Sequence, residues 1–261
     1  MLSIEEERRI TYLLDNARII AEHAGAEVLL PAFENRTFSA ELKPDNTPVT
    51  EADRNAEAII VGLLKKRFPE YGFLGEELGE SGLKDKRWII DPLDGTKNFI
   101  RGIPVFATLI ALEEKGTITV GVVYNPATRD LWYAGKGYGA YHNGKHIQVS
   151  SVETLQKAML LHSGIKPLKA SPHWDRFLRL ADKTQRQRAF GDFLGFMMVA
   201  QGQAEICLDQ GPLKPWDLAA PSIIVREAGG VFSDLALNEN IYSPSALATN
   251  GRLRNAVAMI L

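Results

Sequence analysis

The sequence predicts a layered mixed fold, α+β or α/β, in which two subdomains pack against each other as one compact unit. Three observations predict it. Two long segments near the N-terminus repeat apolar residues at helical spacing, apolar-rich strands follow from Arg87 to Ser150, and helices then alternate with strands. A length of 261 residues with 45% apolar side chains suits one large or two small domains. No repeat or low-complexity linker separates the halves, so the expected division is residues 1–150 and 151–261.

Ile10, Leu13, Leu14, Ala17, Ala21, Ala24, Val28 and Leu29 recur every three or four residues, which predicts a helix from Ile4 to Phe33. Pro44 and Pro48 make the stretch from Glu41 to Thr50 a turn. A second helix is expected from Glu51 or Asp53 to Pro69, with Ile59, Ile60, Leu63 and Leu64 inward, and a short strand with a glycine loop over Tyr71 to Glu77. Trp88 to Ile90 form a strand that ends at Asp91, because Pro92 removes a ladder donor. Phe106 to Leu112 and Thr117 to Tyr124 flank a hairpin turn, Leu131 to Ala134 adds a strand, and Asn143-Gly144 marks a tight turn within Gly139 to Val149. Beyond residue 150 the expected elements are strands at 158–161, 205–208 and 231–233, and helices at 172–182, 191–202 and 217–228.

Composition narrows the function. Thirty Lys and Arg against 32 Asp and Glu give a net charge of -2, which argues against a nucleic-acid-binding role. Cys207 is the single cysteine, so an intrachain disulfide and a thiolate zinc site are excluded, and its apolar neighbours mark it as a core residue. Glu5, Glu6 and Glu7 are unlike the basic start of a signal peptide, and no apolar run has the roughly 20 residues of a membrane span. A cytoplasmic location without membrane contact is expected.

The densest chemistry lies in Asp91-Pro-Leu-Asp-Gly-Thr96, directly after the apolar strand. Two carboxylates three residues apart around a proline-fixed turn can converge on one point, and hard divalent cations such as Mg²⁺ take such oxygen ligands. The amides of Gly95 and Thr96 suit phosphate oxygens. A plain turn accounts for an isolated Asp-Gly pair but poorly for the whole run. An aspartyl-phosphate arrangement needs one residue between its aspartates, whereas two separate Asp91 from Asp94.

The run Asp91 to Thr96, with Val49-Thr-Glu-Ala-Asp53 and Gly75-Glu-Glu77 before it and Trp216-Asp-Leu-Ala-Ala220 and Glu227-Ala-Gly-Gly230 after it, resembles the inositol monophosphatase family. The motifs appear in family order over essentially the whole chain. The resemblance implies an αβαβα sandwich, a homodimer and a Mg²⁺-dependent phosphomonoesterase. It also implies that Glu76, Asp91, the Leu93 carbonyl, Asp94 and Asp217 hold two or three Mg²⁺ ions, with most of these ligands in residues 1–150. Glu76, Thr96 and Asp53 are then the catalytic residues, with Thr96 and Asp53 orienting a water beside a metal. Asp53 and Asp217 also read as helix caps, and both roles are compatible because a helix start fixes the carboxylate's direction.

Residues 151–261 are expected to set specificity. Arg188-Ala-Phe-Gly-Asp192 and Leu213-Lys-Pro-Trp-Asp217 resemble the histidinol-phosphate phosphatases of the family. Gly95, Thr96, Arg188, Asp192, Asp209 and Asp217 are the expected substrate contacts. Histidinol phosphate carries an ammonium and an imidazole, and carboxylates beyond the metal ligands would favour it over a neutral polyol. The alternatives are inositol-1-monophosphatase, nucleotide 3′-phosphatases with an aromatic pocket near Phe190 and Phe193, sugar bisphosphatases, and a non-catalytic metal-binding regulator. The chain keeps every acidic ligand position and Thr96, which disfavours the last.

Overall fold

The computed structural model describes residues 2–42 and 48–261; Met1 and the centre of the proline-rich turn expected between Glu41 and Thr50 lie outside them. Helix α1 (Ile4–Ala24) opens at Ser3, whose hydroxyl accepts the Glu6 amide at 3.2 Å. It runs through a π-helical turn, Gly25–Leu29, into α2 (Leu30–Asn35), so the helix expected over 4–33 has one widened turn. A ribbon of β1 (Ala40–Leu42) and β2 (Pro48–Thr50) leads into α3 (Glu51–Arg67), which buries Ile60 and Leu64 and half-buries Ile59 and Leu63.

The next strands are β3 (Gly72–Gly75), β4 (Gly79–Ser81), β5 (Lys86–Asp94), β6 (Ala107–Glu114), β7 (Thr117–Asn125), β8 (Asp130–Gly135), β9 (Gly139–His142) and β10 (Lys145–His146), with α4 (Thr96–Arg101) between β5 and β6. Asn143 and Gly144, at φ 48° and 78°, turn the chain between β9 and β10 as their dipeptide predicts. Beyond them lie β11 (Met159–His162), α5 (Ile165–Lys169), α6 (Trp174–Lys183), β12 (Arg186–Arg188), α7 (Asp192–Ala200), β13 (Ile206–Gln210), α8 (Pro215–Glu227), β14 (Val231–Ser233), β15 (Ser245–Thr249) and α9 (Arg254–Ala258).

Among the described residues, two larger sheets form: an eight-stranded one in the order β10-β9-β8-β7-β6-β5-β3-β4, and a five-stranded one in the order β12-β11-β13-β15-β14. The first is antiparallel except for the parallel pair β3–β5. Side-chain alternation sorts the layers. In β5, Trp88 and Ile90 point into a core shared with Ile10, Leu13 and Ile20 of α1 and Ile60 and Leu64 of α3, while Ile89 points into the opposite core with α7 and α8. In the smaller sheet, Leu161, Cys207 and Ala248 face α7 and α8, whereas Leu160, Ile206 and Leu247 face Leu168, Phe177, Leu180 and Val257 of the outer helices. The order is therefore helices, sheet, helices, sheet, helices: the αβαβα sandwich. Cys207 is buried in its core, as its neighbours suggest.

The middle helix α8 lies on β7 at Gly121. A Cβ there would stand 2.9 Å from the Ala220 carbonyl oxygen and overlap the Ile223 side chain. Gly121→Val is expected to cost about 1–3 kcal/mol through overpacking and to lower the thermal midpoint by several degrees. Calorimetry checks it, and an unchanged midpoint would contradict the close approach.

Candidate active site

The site forms where β5 ends. Asp91 pairs with Leu109 and Asp94 with Ala107, so three steps on β5 oppose two on β6 and a bulge separates the two aspartates. The strand expected to stop at Asp91 instead continues to Asp94, because the bulge accommodates Pro92, which has no N–H to give the ladder. The Leu93 amide donates to Asp91 Oδ1 at 2.9 Å. Gly95, at φ 86°, turns the chain into α4; a Cβ there would meet the Val105 carbonyl oxygen at 2.7 Å.

Neighbouring elements bring the other acids in. β3 runs parallel to β5 with Gly75 opposite Ile90, and the Glu76 amide donates to the Ile90 carbonyl at 3.2 Å, which sets Glu76 beside Asp91. Asp217 lies in the first turn of α8, where its Oδ2 accepts the Lys214 amide at 2.7 Å. Asp53 holds the equivalent position in α3: its Oδ2 accepts the Thr50 amide at 2.8 Å and hydroxyl at 2.6 Å, and its Oδ1 faces the Thr96 hydroxyl at 3.1 Å. The Thr96 hydroxyl also lies 3.0 Å from the Leu93 carbonyl oxygen. Both aspartates therefore cap a helix, and Asp53 also meets the Thr96 hydroxyl.

Glu76, Asp91, Leu93, Asp94, Gly95, Thr96 and Asp217 line one cavity of about 620 Å³, together with Asp192 and Asp209. Asp53 stands behind Thr96. Asp91, Asp94 and Asp217 each offer an oxygen within 4.8 Å of the others. Asp192, at φ 54°, begins α7, and its carboxylate accepts the Asn98 side-chain amide at 3.0 Å. The next amide, Phe193, donates to Asp94 Oδ2 at 2.7 Å. Asp209 on β13 is buried and accepts the Ser163 hydroxyl.

Burial and mutual repulsion dominate the electrostatics. Burial, with the charges of Glu76, Asp94 and Asp217, holds the Asp91 carboxyl well above its usual range. Burial and the charges of Asp192 and Asp217 do the same to Asp94. Burial raises Asp217 and Asp209 to about 7 and Asp53 to about 6. It raises Asp192 as well, against the opposing pull of Lys97. An all-oxygen donor set whose acids resist ionising together fits a hard divalent cation, which supplies the missing positive charge.

Arg188 lies elsewhere. It is exposed on β12, an edge strand, and its guanidinium donates to the Gln187 carbonyl at 2.7 Å, away from the cavity lining. Phe193 is buried in the core and Phe190 points to solvent at 41% exposure, so neither lines the cavity; Phe196 and Trp216 do. The sequence reading also missed Lys97, Arg101 and Lys214 at the cavity wall, and Glu57, a buried acid on α3. Glu57 follows Asp53 by four residues and so shares its helix face, a signal present in the sequence.

Residues 13–259 match the inositol monophosphatase family. The histidinol-phosphatase of Streptomyces coelicolor is 41% identical over 248 residues, covering 92% of each chain. The inositol-1-monophosphatase of Synechocystis is 38% identical over 221 residues, covering 82% of this chain and 76% of the relative. Among solved structures, the extragenic suppressor protein suhB of Bartonella henselae superposes with a TM-score of 0.87 at 33% identity, covering 95% of this chain and 98% of that one. The chain belongs to the inositol monophosphatase family and is a phosphoric monoester hydrolase.

The raised carboxylates give a signed pH dependence. Asp53, Asp209 and Asp217 ionise near 3.8 when exposed but only near 6 to 7 in the folded protein. Between those values the folded state holds protons that the unfolded state has released, so stability falls as pH rises. The thermal midpoint of the EDTA-treated protein is expected to drop from about pH 5 to about pH 7.5, and added Mg²⁺ is expected to raise it more at the higher pH. A metal-free midpoint that climbs with pH would contradict this electrostatic account.

Proposed function

We propose that this phosphatase hydrolyses histidinol phosphate to histidinol and inorganic phosphate, using Mg²⁺ held by Glu76, Asp91, the Leu93 carbonyl, Asp94 and Asp217. The observation that carries the substrate is the pair Asp192 and Asp209 in the wall of the same cavity, beyond the acids proposed as ligands. Two further carboxylates suit a leaving alcohol that carries an ammonium and an imidazole. Trp216, half-buried in the lining, adds aromatic surface on which a planar cationic ring can rest. The 41% identity to a histidinol-phosphatase supports the same choice. Arg188, exposed and outside the lining, is not part of this proposal.

Bound Mg²⁺ would lower the pKa of a coordinated water and neutralise charge on the entering and leaving oxygens of an in-line displacement. The protein's own part is positioning and proton handling. The Thr96 oxygen can accept a proton from the attacking water while its own hydrogen passes toward Asp53 Oδ1, 3.1 Å away. Burial raises Asp53 to about 6, which makes it a stronger base than an exposed aspartate. Gly95 supplies the left-handed backbone that turns the chain beside the Val105 carbonyl, which sets Thr96 in the cavity wall. The proposed division follows: residues 1–150 supply Asp53, Glu76, Asp91, Leu93, Asp94 and Thr96, and residues 151–261 supply Asp217 and the groups that face the alcohol.

Phosphate release in Mg²⁺ should give a kcat/KM for histidinol phosphate at least about tenfold above that for inositol 1-phosphate, the equivalent of 1.4 kcal/mol. The reverse preference would overturn the substrate and leave the phosphatase. Asp94→Asn should reduce turnover by at least about a hundredfold, and retained activity would refute the proposed metal site. Asn tolerates the positive φ of residue 192 as aspartate does, so Asp192→Asn isolates the charge. Its KM for histidinol phosphate should rise by about tenfold or more while a neutral-alcohol ester is little affected; equal effects on both would remove Asp192 from recognition.

A further inference from the structure

The loop that carries Glu76 is held from behind by a residue outside the proposed ligand set. Glu57 lies on α3, one helical turn beyond Asp53, and its side chain is fully buried. One carboxylate oxygen, Oε2, accepts the Glu77 amide at 2.7 Å, and the other, Oε1, accepts the Leu78 amide at 3.1 Å. Gly75, just before Glu76, lies so close that a Cβ on it would overlap Glu57 Oε1. The Glu76 amide is bonded to the Ile90 carbonyl on the strand that leads into Asp91. The backbone around Glu76 is thus fixed on one side by β5 and on the other by Glu57, and the Glu76 side chain is presented to the cavity.

We infer that Glu57 is a positioning residue for metal binding: it clamps the Glu77 and Leu78 amides and so holds the Glu76 carboxylate in register with Asp91, Asp94 and Asp217. The inference rests on the proposal that these acids hold Mg²⁺. Its physical basis is the pair of roles along one helix face. Asp53 reaches Thr96 at one edge of the site, and Glu57 reaches the Glu76 loop at the other, so α3 ties together two segments that the sheet alone joins only through β5. The neighbouring charges that act on Glu57 are those of Glu76 and Glu77, both negative. A buried carboxylate among like charges is costly for stability, which places its benefit in the loop it orders. A bidentate acceptor suits this task, because two successive amides need two oxygens. Glutamine offers one oxygen and would turn an N–H toward the second amide.

The test is calorimetric titration of Mg²⁺ into the full-length, EDTA-treated protein, comparing wild type with Glu57→Gln, Glu57→Ala and Asp94→Asn. Groups that orient metal ligands typically carry 10–100-fold of metal affinity. The Mg²⁺ Kd is therefore expected to rise about tenfold or more in Glu57→Ala and by a smaller factor in Glu57→Gln. In both, hydrogen exchange at the Glu77 and Leu78 amides should accelerate, and kcat at saturating Mg²⁺ should fall far less than affinity. An unchanged Kd alongside a lowered thermal midpoint would make Glu57 a residue of stability alone and overturn the inference. If Glu57→Ala does not fold, Glu57→Gln decides by the same criterion. Loss of Mg²⁺ binding in Asp94→Asn with an unchanged Kd in both Glu57 variants refutes the inference and leaves the metal site standing. A wild-type protein that takes up no Mg²⁺ refutes both.

Discussion

Everything at the candidate active site depends on bringing carboxylates together where they repel one another and lose water. Each of the central acids gives one oxygen to a backbone amide: Asp91 to Leu93, Asp94 to Phe193, Asp217 to Lys214 and Asp53 to Thr50. Those bonds fix where each side chain points but do not remove the conflict, since the acids still resist ionising together. A divalent cation would resolve it by supplying the charge that the protein omits. The metal-free protein is in this sense under electrostatic load, and ligand binding and stability are the same free energy seen from two sides.

The five-layer architecture delivers those acids from distant parts of the chain. The first sheet contributes Asp91 and Asp94 across a bulge and Glu76 from the parallel neighbour strand. The middle helices contribute Asp217 at the start of α8 and, through the start of α7, the amide that orients Asp94. The second sheet contributes Asp209. Because α7 and α8 pack against both sheets, the middle layer that carries Asp192 and Asp217 also abuts the strands that carry Asp91, Asp94 and Asp209. A change in the middle layer therefore reaches both functions.

Much of this was legible in the sequence, for identifiable reasons. The long helices showed because their apolar stripes are regular, and the Asp91–Thr96 run showed because proline and glycine at those spacings restrict what a backbone can do. What escaped notice lacked such a signal. β15 reads Ser-Ala-Leu-Ala-Thr, small residues with weak strand preference, and it forms because β13 and β14 pair with it on both sides. α4 has only six residues, too few to show a helical period. The bulge at Pro92 needed β6 as a reference before it could be seen. The resemblance of Arg188-Ala-Phe-Gly-Asp192 to histidinol-phosphate phosphatases implies a place for Arg188 at the site, but an edge strand carries it outward. Glu57 is the exception: it shares a helix face with Asp53, but charged residues on a helix default to solvent, and the Glu77 and Leu78 amides and the approach of Gly75 show why this one is inside.

The central claim, that these acids form one cation site serving a phosphoryl group, is tested most directly by a crystal structure with Mn²⁺ and inorganic phosphate. Anomalous difference density should appear among Glu76, Asp91, Asp94 and Asp217, with phosphate against Gly95 and Thr96. Manganese found only elsewhere, with these carboxylates bonded to one another or to water, would contradict the account.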